Sequence, residues 1–189
     1  MAFLTEKELK KVGFKSYGNN VLISDKASIY SPETISIGSN VRIDDFCILS
    51  AGTEGIKIGN YIHIACYTSI IGAGKITLKD YCNISSRVAI YSSNDDYSGE
   101  WMTNPMVPSE YTNVKHGPVL IDRHVIIGAG SVILPHSHIK EGVSIGALSL
   151  VKADCEPNYI YAGNPLQKIK KKDMGYLRKE DLLNNHLNQ

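Results

Sequence analysis

Isoleucine and its aliphatic relatives recur at every sixth residue over most of this 189-residue chain. The repeat falls into five blocks that span positions 23 to 35, 37 to 49, 58 to 76, 78 to 90 and 121 to 151. Of the 19 positions that these blocks define, 16 are isoleucine, two are leucine and one is valine. Isoleucine is 23 of the 189 residues, so chance alone would place only about two at 19 fixed positions.

A spacing of six fits neither the 3.6-residue turn of a helix nor the alternation of a simple strand. It predicts a short strand followed by a corner, with the aliphatic side chain inside and glycine or a polar residue at the turn, as at Gly38, Asp44 and Gly146. Three such units close one triangular coil of about 18 residues, and coils stack at the strand spacing of about 4.8 Å. The pattern therefore predicts an all-β parallel β-helix from about Val21 to Val151.

The chain ends carry helix signals instead of the six-residue repeat. Thr5 and Glu8 form a capping box, and Leu4 with Leu9 forms a hydrophobic staple, so a helix is expected over 6–12 that ends at Gly13. A second helix is predicted over 176–187. We divide the chain into a capping segment 1–20, a β-helix domain 21–165 with an inserted loop 92–117, and a basic C-terminal segment with a helix, 166–189.

Composition and charge narrow the classes of partner. The net charge of +1 provides no bulk field that would attract nucleic acid or an anionic membrane. No run of about 18 apolar residues predicts a transmembrane helix, and the first residues lack the apolar stretch of a signal peptide. The four cysteines form no CxxC pair, so we expect free thiols in a reducing cytoplasm.

The repeats resemble a known enzyme family. The segments GPVLIDRHVIIGAGSVILP, IGALSLV and YAGNPLQKIKK, together with the six-residue pattern, are similar to the hexapeptide-repeat acyltransferases. The resemblance extends to the branch of galactoside and maltose acetyltransferases and of enzymes that acetylate sugars for bacterial surface polysaccharides, including lipopolysaccharide and O-antigen. It implies a left-handed parallel β-helix, acetyl-CoA as cosubstrate, and a homotrimer with active sites between subunits.

The six-residue pattern is interrupted between Ile90 and Ile121 by about 25 residues that do not belong to the coil. This loop contains Trp101, the only tryptophan, and two tyrosines. It is either an arm that braces a neighbouring subunit or, as the resemblance implies, the wall of the sugar acceptor site. For acceptor binding we assign Asn83 on the coil and, in the loop, Asn94, Asp96, Tyr97 and Trp101.

The identity of the general base stays open at this stage. The resemblance implies a histidine soon after the chain enters the loop, but Asp95 stands there. Asp95 could be the base, since a neighbouring acid such as Asp96 can raise a carboxyl pKa. Alternatively, His116 could reach the acceptor from the far side of the loop and act as the base. In a third interpretation, the two acids simply cap a turn. A carboxylate suits an amine better than a high-pKa hydroxyl, so we expect a nucleotide-linked amino sugar and N-acetylation.

Coenzyme A is expected along the edge of the coil between two subunits. The resemblance implies that Ala129 and Ala147 let the pantetheine arm approach, and that Lys152, Lys168 and Lys170 meet its phosphates. His124, His136 and His138 lie within the repeats and are interpreted as structural. No metal is expected.

Four other functions compete with this interpretation. They are O-acetylation of a sugar hydroxyl, acetylation of a xenobiotic, a carbonic anhydrase on the same coil, and a structural solenoid without activity. A carbonic anhydrase needs three histidines that converge on one metal, and the spacing of these histidines does not favour that. A scaffold would need no 25-residue insert.

Overall fold

The six-residue repeat folds into short parallel strands that stack into three flat sheets, the faces of a triangular β-helix. The structure is a computed structural model, and it describes residues 2–187. The chain passes from the first face to the second, then the third, and returns to the first one coil further along. The predicted all-β parallel β-helix is therefore confirmed.

The strands divide among the faces as follows. The first face contains β1 (Ser16–Tyr17), β4 (Ile35–Ile37), β7 (Ile56–Ile58), β10 (Ile76–Leu78), β15 (Val119–Ile121) and β18 (His138–Ile139). The second contains β2 (Val21–Ile23), β5 (Val41–Ile43), β8 (Ile62–Ile64), β11 (Asn83–Ile84), β16 (Ile126–Ile127), β19 (Ser144–Ile145), β21 (Tyr159–Ala162) and β22 (Gln167–Lys171). The third contains β3 (Ser28–Tyr30), β6 (Ile48–Ala51), β9 (Ser69–Gly72), β12 (Ala89–Tyr91), β17 (Val132–Ile133) and β20 (Leu150–Val151).

The repeated isoleucines form continuous columns inside the triangle. On the second face, Ile43 pairs with Ile64, and Ile64 pairs with Ile84, in strict parallel register. All three side chains are fully buried. Burial of one such side chain contributes roughly 1.5–3 kcal/mol, so the stacked columns supply the main stabilisation of the fold.

The coils are not all of the predicted length. Ile127 and Ile145 pair 18 residues apart, as the repeat predicts, but Ile43 and Ile64 pair 21 residues apart. The extra residues lie at the corner between the third and first faces, where Leu49 and Ile58 are nine positions apart instead of six. This corner explains the breaks between the sequence blocks, and the long loop leaves the coil here.

Helix α1 (Glu6–Val12) covers the first coil as predicted. The hydroxyl of Thr5 accepts from the backbone N–H of Glu8, the Glu8 carboxylate accepts from the Thr5 N–H, and Gly13 ends the helix with a left-handed φ of 82°. Leu9 is buried against the coil. Such a cap is worth about 1 kcal/mol, and it closes an end that would otherwise expose strand edges.

The other end of the coil is closed by two elements, of which one was predicted. Helix α2 (Gly175–Leu187) matches the expected helix, but the antiparallel hairpin of β21 and β22 was not anticipated. On α2, the Glu180 carboxylate accepts hydrogen bonds from Arg123 and from His124, the latter at 2.6 Å. No helix among residues 2–187 is both long and apolar enough to span a bilayer.

Candidate functional site

The two candidate bases lie together where the loop leaves the coil. Strand β13 (Ser93–Asn94) pairs antiparallel with β14 (Lys115–His116), so that Ser93 lies opposite His116. The Gly117 N–H donates to the Ser92 carbonyl at 3.0 Å and fixes the base of the loop. Asp95 follows β13 directly. The structure therefore places residues from both ends of the 25-residue insert at one corner of the triangle.

His116 is held by a hydroxyl at the base of the loop. Ser93 Oγ accepts from the Ala73 N–H at 2.8 Å and lies 2.8 Å from His116 Nδ1. The hydroxyl can donate to Nδ1 or accept from an Nδ1 proton through its second lone pair, so His116 Nε2 can serve as a donor or as an acceptor. The His116 side chain is exposed, so Nε2 is accessible to a bound ligand.

The two acids of the loop have different environments. Asp96 accepts from the Ser98 hydroxyl at 2.6 Å and the Ser98 N–H at 3.1 Å, which holds the pKa of Asp96 below its usual value. Asp96 is thus an ionised turn residue and not an acid with a raised pKa. Asp95 is exposed and makes no hydrogen bond or ion pair within residues 2–187. Of the two, only Asp95 is available to an acceptor.

The aromatic residues of the loop project away from their own chain. Tyr97 is 86% exposed and Met106 is 90% exposed, and Trp101 is also exposed. A short 3₁₀ turn (Ser109–Tyr111) and a bridge between Met102 and Thr112 stiffen the loop. These side chains add exposed apolar surface to an ordered arm.

The residues expected to meet coenzyme A do not all lie at one corner. Ala129 and Ala147 are exposed at the corner between the second and third faces, one coil apart, where the Leu148 N–H donates to the Ala129 carbonyl at 2.9 Å. Lys152 follows β20 at the corner between the third and first faces and is exposed, as is Lys170 in β22 on the second face. Lys168 is already engaged, since its ammonium donates to Glu156 at 2.7 Å and lies 3.7 Å from the centre of the Tyr159 ring.

The second face has a polar pair that the sequence did not reveal. Asn83 is exposed on this face, and its register partner one coil below is His63. His63 Nε2 lies 2.8 Å from the carboxylate of Asp44, which Arg42 Nε also contacts at 2.7 Å. The signal was hidden because these residues are about 20 positions apart and become neighbours only when coils stack.

Three other histidines have structural roles, in agreement with the sequence interpretation. His124 is sandwiched between Tyr81 and Tyr176, with ring centres 4.8 and 4.6 Å away. His136 packs over Gly117, where any added Cβ would lie 2.4 Å from the imidazole. His138 Nε2 lies 2.8 Å from the carboxylate of Asp122. Among residues 2–187, no group of three or more histidine, cysteine or acidic side chains is arranged to bind a metal.

The residues expected at the site lie at two separate corners of one chain. Asp95 and His116 lie at the corner between the third and first faces, whereas Ala129 and Ala147 lie one full side of the triangle away. A side has about six residues and spans up to roughly 20 Å. The residues expected beside the acceptor and those expected beside coenzyme A therefore do not adjoin one another on one chain.

Comparison with known proteins gives a consistent result, although no family model matches the chain. The chain is 58% identical over 182 residues to a dTDP-4-amino-4,6-dideoxy-D-glucose acyltransferase of Escherichia coli, covering 96% of this chain and 95% of that protein. WbbJ of Escherichia coli K12, named for O-acetyl transfer in lipopolysaccharide biosynthesis, is 29% identical over 79% of this chain and 74% of its own.

Solved structures of AntD, an N-acyltransferase from Bacillus cereus, have the same fold over the whole chain. The complex with dTDP and 3-hydroxybutyryl-CoA has a TM-score of 0.95 at 49% identity and covers 99% of this chain and 98% of AntD. A serine-to-alanine variant of AntD, in complex with dTDP-4-amino-4,6-dideoxyglucose and coenzyme A, has a TM-score of 0.94 at 48% identity, covering 98% of each chain. The sequence resemblance to sugar acyltransferases is thereby confirmed.

Proposed function

The chain belongs to the family of dTDP-4-amino-4,6-dideoxy-D-glucose acyltransferases, acyl-CoA-dependent enzymes on the hexapeptide-repeat β-helix, and we propose that it N-acylates a dTDP-linked 4-amino-4,6-dideoxy sugar. The observation that carries this proposal is the 58% identity over 96% of the chain. The fit with AntD adds that a relative with the same fold holds both dTDP-4-amino-4,6-dideoxyglucose and coenzyme A.

The reaction is an acyl transfer from sulfur to nitrogen. The neutral sugar amine attacks the thioester carbonyl carbon, a C–N bond forms, and the C–S bond breaks with the electron pair leaving on the coenzyme A sulfur. The amine loses one proton and the thiolate gains one, so no other reactant is needed. A neutral amine is already nucleophilic, and the protein has to orient it and receive its proton.

We assign the proton-accepting and orienting role to Asp95. Its carboxylate is exposed and without a partner among the described residues, whereas Asp96 is tied to Ser98. We assign to His116 the donation of a hydrogen bond from Nε2 to the thioester oxyanion or to a phosphate oxygen, in the tautomer in which Ser93 donates to Nδ1. Asn83, Asn94, Asp96, Tyr97 and Trp101 remain our assignment for acceptor binding.

Coenzyme A lies in our proposal along the corner of Ala129 and Ala147, whose small exposed side chains leave room for the pantetheine arm. Lys170, in β22, and Lys152, at the corner between the third and first faces of a neighbouring subunit, meet its phosphates. Lys168 can join them only by leaving the Glu156 carboxylate, so its contribution is smaller.

The assembly in this proposal is a homotrimer in the cytoplasm, with each site between two subunits. The separation of the two half-sites within one chain supports a shared site, and four free thiols fit a reducing compartment. Similarity to WbbJ supports a product used for lipopolysaccharide or O-antigen.

The test is thiol release from acyl-CoA with matched acceptors. We expect turnover with dTDP-4-amino-4,6-dideoxyglucose and none with dTDP-6-deoxyglucose, which has a hydroxyl in place of the amine. The same assay with acetyl-CoA and with 3-hydroxybutyryl-CoA identifies the acyl group that is transferred. The sequence resemblance implies acetyl-CoA, whereas an AntD structure contains 3-hydroxybutyryl-CoA. Equal turnover of the hydroxyl sugar would contradict N-acylation and favour O-acylation as the function of the protein.

A further inference from the structure

Four lysines lie in strand β22 or directly after it, and their environments differ. The Lys168 ammonium donates to the Glu156 carboxylate at 2.7 Å, and this hydrogen bond raises the pKa of Lys168. Lys170 and Lys171 are exposed to solvent. Lys172 is partly buried and forms no ion pair with any carboxylate among residues 2–187. Lys172 is therefore the member of the group that loses water without gaining a counter-charge.

Lys172 borders a cleft at the corner between the first and second faces. The cleft has a volume of about 320 Å³, and its walls include Pro157, Tyr159 and Met174. The backbone N–H of Lys172 donates to the Asn158 carbonyl at 2.9 Å, which fixes the chain beside the cleft. The amine is thus partly removed from water, yet a molecule that enters the cleft can reach it.

These surroundings favour the neutral form of the amine. Partial burial lowers the pKa of Lys172 from the ordinary value of 10.5, because the ammonium is less well hydrated there. The Tyr176 ring of α2, whose centre lies 5.2 Å from the ammonium, favours the charged form, but less than a carboxylate would. The other titratable groups that line the cleft are Tyr159 of β21 and the neighbouring Lys171, and neither supplies a negative charge. A partly desolvated lysine of this kind is a nucleophile.

The cosubstrate of this enzyme family is an acyl-CoA, and its thioester reacts with neutral amines. We propose that Lys172 is a site of covalent acylation, at which the side-chain amine takes an acyl group directly from acyl-CoA. The amine attacks the thioester carbonyl carbon, a C–N bond forms, and the C–S bond breaks with the electron pair leaving on the sulfur. The amine loses one proton and the thiolate gains one. The product is a neutral amide, so the Tyr176 ring no longer faces a cation.

One peptide reports on all four lysines. Cleavage after Asp154 and Asp173 yields the peptide 155–173, which contains the four lysines and no others. After incubation of the full-length protein with acetyl-CoA and no acceptor, fragment-ion mass spectrometry should find Lys172 acetylated several-fold faster than the other three. The rate at Lys172 should level off below pH 10.5, because a lowered pKa makes the amine neutral at a lower pH. If Lys170 or Lys171 reacts as fast as Lys172, or if Lys172 stays unmodified, the inference is wrong.

A change in the cleft tests the environment while the lysine itself is kept. Met174 is 53% exposed and borders the same cleft, so Met174→Asp should place a carboxylate near the amine. That carboxylate favours the ammonium and should slow the acetylation of Lys172 several-fold. Met174→Asn has the same shape without the charge, and it should react like the wild type. An equal rate in the two variants would contradict the inference.

The inference goes beyond the proposed function, because no sugar takes part in the reaction. If the protein acylates the dTDP-amino sugar while Lys172 stays unmodified, this inference alone is removed. If Lys172 is acetylated in a protein that does not acylate the sugar, the proposed function is removed and the inference stands.

Discussion

At the scale of single residues, the proposal turns on the difference between two neighbouring carboxylates. Asp95 is free of partners in the described chain, whereas Asp96 accepts two hydrogen bonds from Ser98. We expect Asp95→Asn to lower kcat by about 10²–10⁴-fold, the usual contribution of a positioned acid–base group, with little change in the KM for acyl-CoA. The measurement is steady-state thiol release with the dTDP-amino sugar.

Glu110→Gln is the matched control for that experiment. It removes one carboxylate charge from an exposed position of the same loop and should retain kcat within a few-fold. If Asp95→Asn stays within threefold of the wild type and His116→Asn loses activity, then the histidine is the group that handles the proton. Loss of activity in both Asp95→Asn and Glu110→Gln would indicate damage to the loop and no specific role for Asp95.

The thiol assay itself leads to a second prediction at this scale. Burial raises the pKa of Cys82 to about 12, and it raises the pKa values of Cys47 and Cys155 to about 11. Thiolate is the reactive form, so these three thiols should be inert at pH 8 while the protein is folded. A disulfide reagent should label about one thiol per folded chain, at the partly exposed Cys66, and all four after denaturation. Labelling of two or more thiols in the folded protein would contradict this.

At the scale of elements, the repeat explains what could be predicted and what could not. The column of Ile43, Ile64 and Ile84 can be predicted from the sequence because the same position of each coil points into the core and carries an aliphatic side chain. Helix α1 is visible because its cap, Thr5 with Glu8, is local. The pair of Asp44 with His63 and the stack of Phe46 on Tyr67 are contacts between coils, about 20 residues apart, and a six-residue period gives no information about them.

A third prediction concerns the contacts that attach helix α2 to the coil. Glu180 accepts from Arg123 and His124 and joins the helix to the corner between the first and second faces. The Glu180 and His124 side chains are each only 11% exposed, so Glu180→Ala leaves the His124 donor unsatisfied and should cost about 1–3 kcal/mol. Hydrogen exchange of 175–187 should rise more than exchange of the coil. Lys179→Ala, on the exposed side of α2, should change neither.

The side chain of Asp122, which follows strand β15, contacts both neighbouring coils. Its contacts predict that the stability of the fold depends on pH. Burial disfavours its charge, but hydrogen bonds from Lys79 and His138 outweigh burial and hold the pKa of Asp122 below the ordinary value of 3.8. A lowered carboxyl pKa stabilises the folded state above that value, and the stabilisation is lost as the pH falls through the folded pKa. Asp122→Asn should therefore lower the Tm at pH 7, and the difference in Tm from the wild type should become smaller below pH 3.8. Asp173→Asn, at an exposed position, should have the Tm of the wild type at both pH values.

At the scale of the whole molecule, the triangle bears on where the proposed site can lie. The loop with Asp95 and the corner with Ala147 are one side of the coil apart, which is the observation that supports a site shared between chains. In the proposed trimer, the loop corner of one chain lies beside the expected coenzyme A corner of the next. The exposed side chains of Tyr97 and Trp101 would then be covered by a neighbour.

A shared site predicts that two inactive variants restore each other. Asp95→Asn disables one corner, and Ala147→Trp blocks the other with a side chain that is exposed on its own chain and so does not disturb the core. In trimers refolded from an equal mixture, a site needs its loop from one variant and its coenzyme A corner from the other, so about one quarter of wild-type activity should return. Trimers that carry both substitutions in every chain should stay inactive. If the mixture also stays inactive while native mass spectrometry shows mixed trimers, the site lies within one chain and the loop must fold back across the third face.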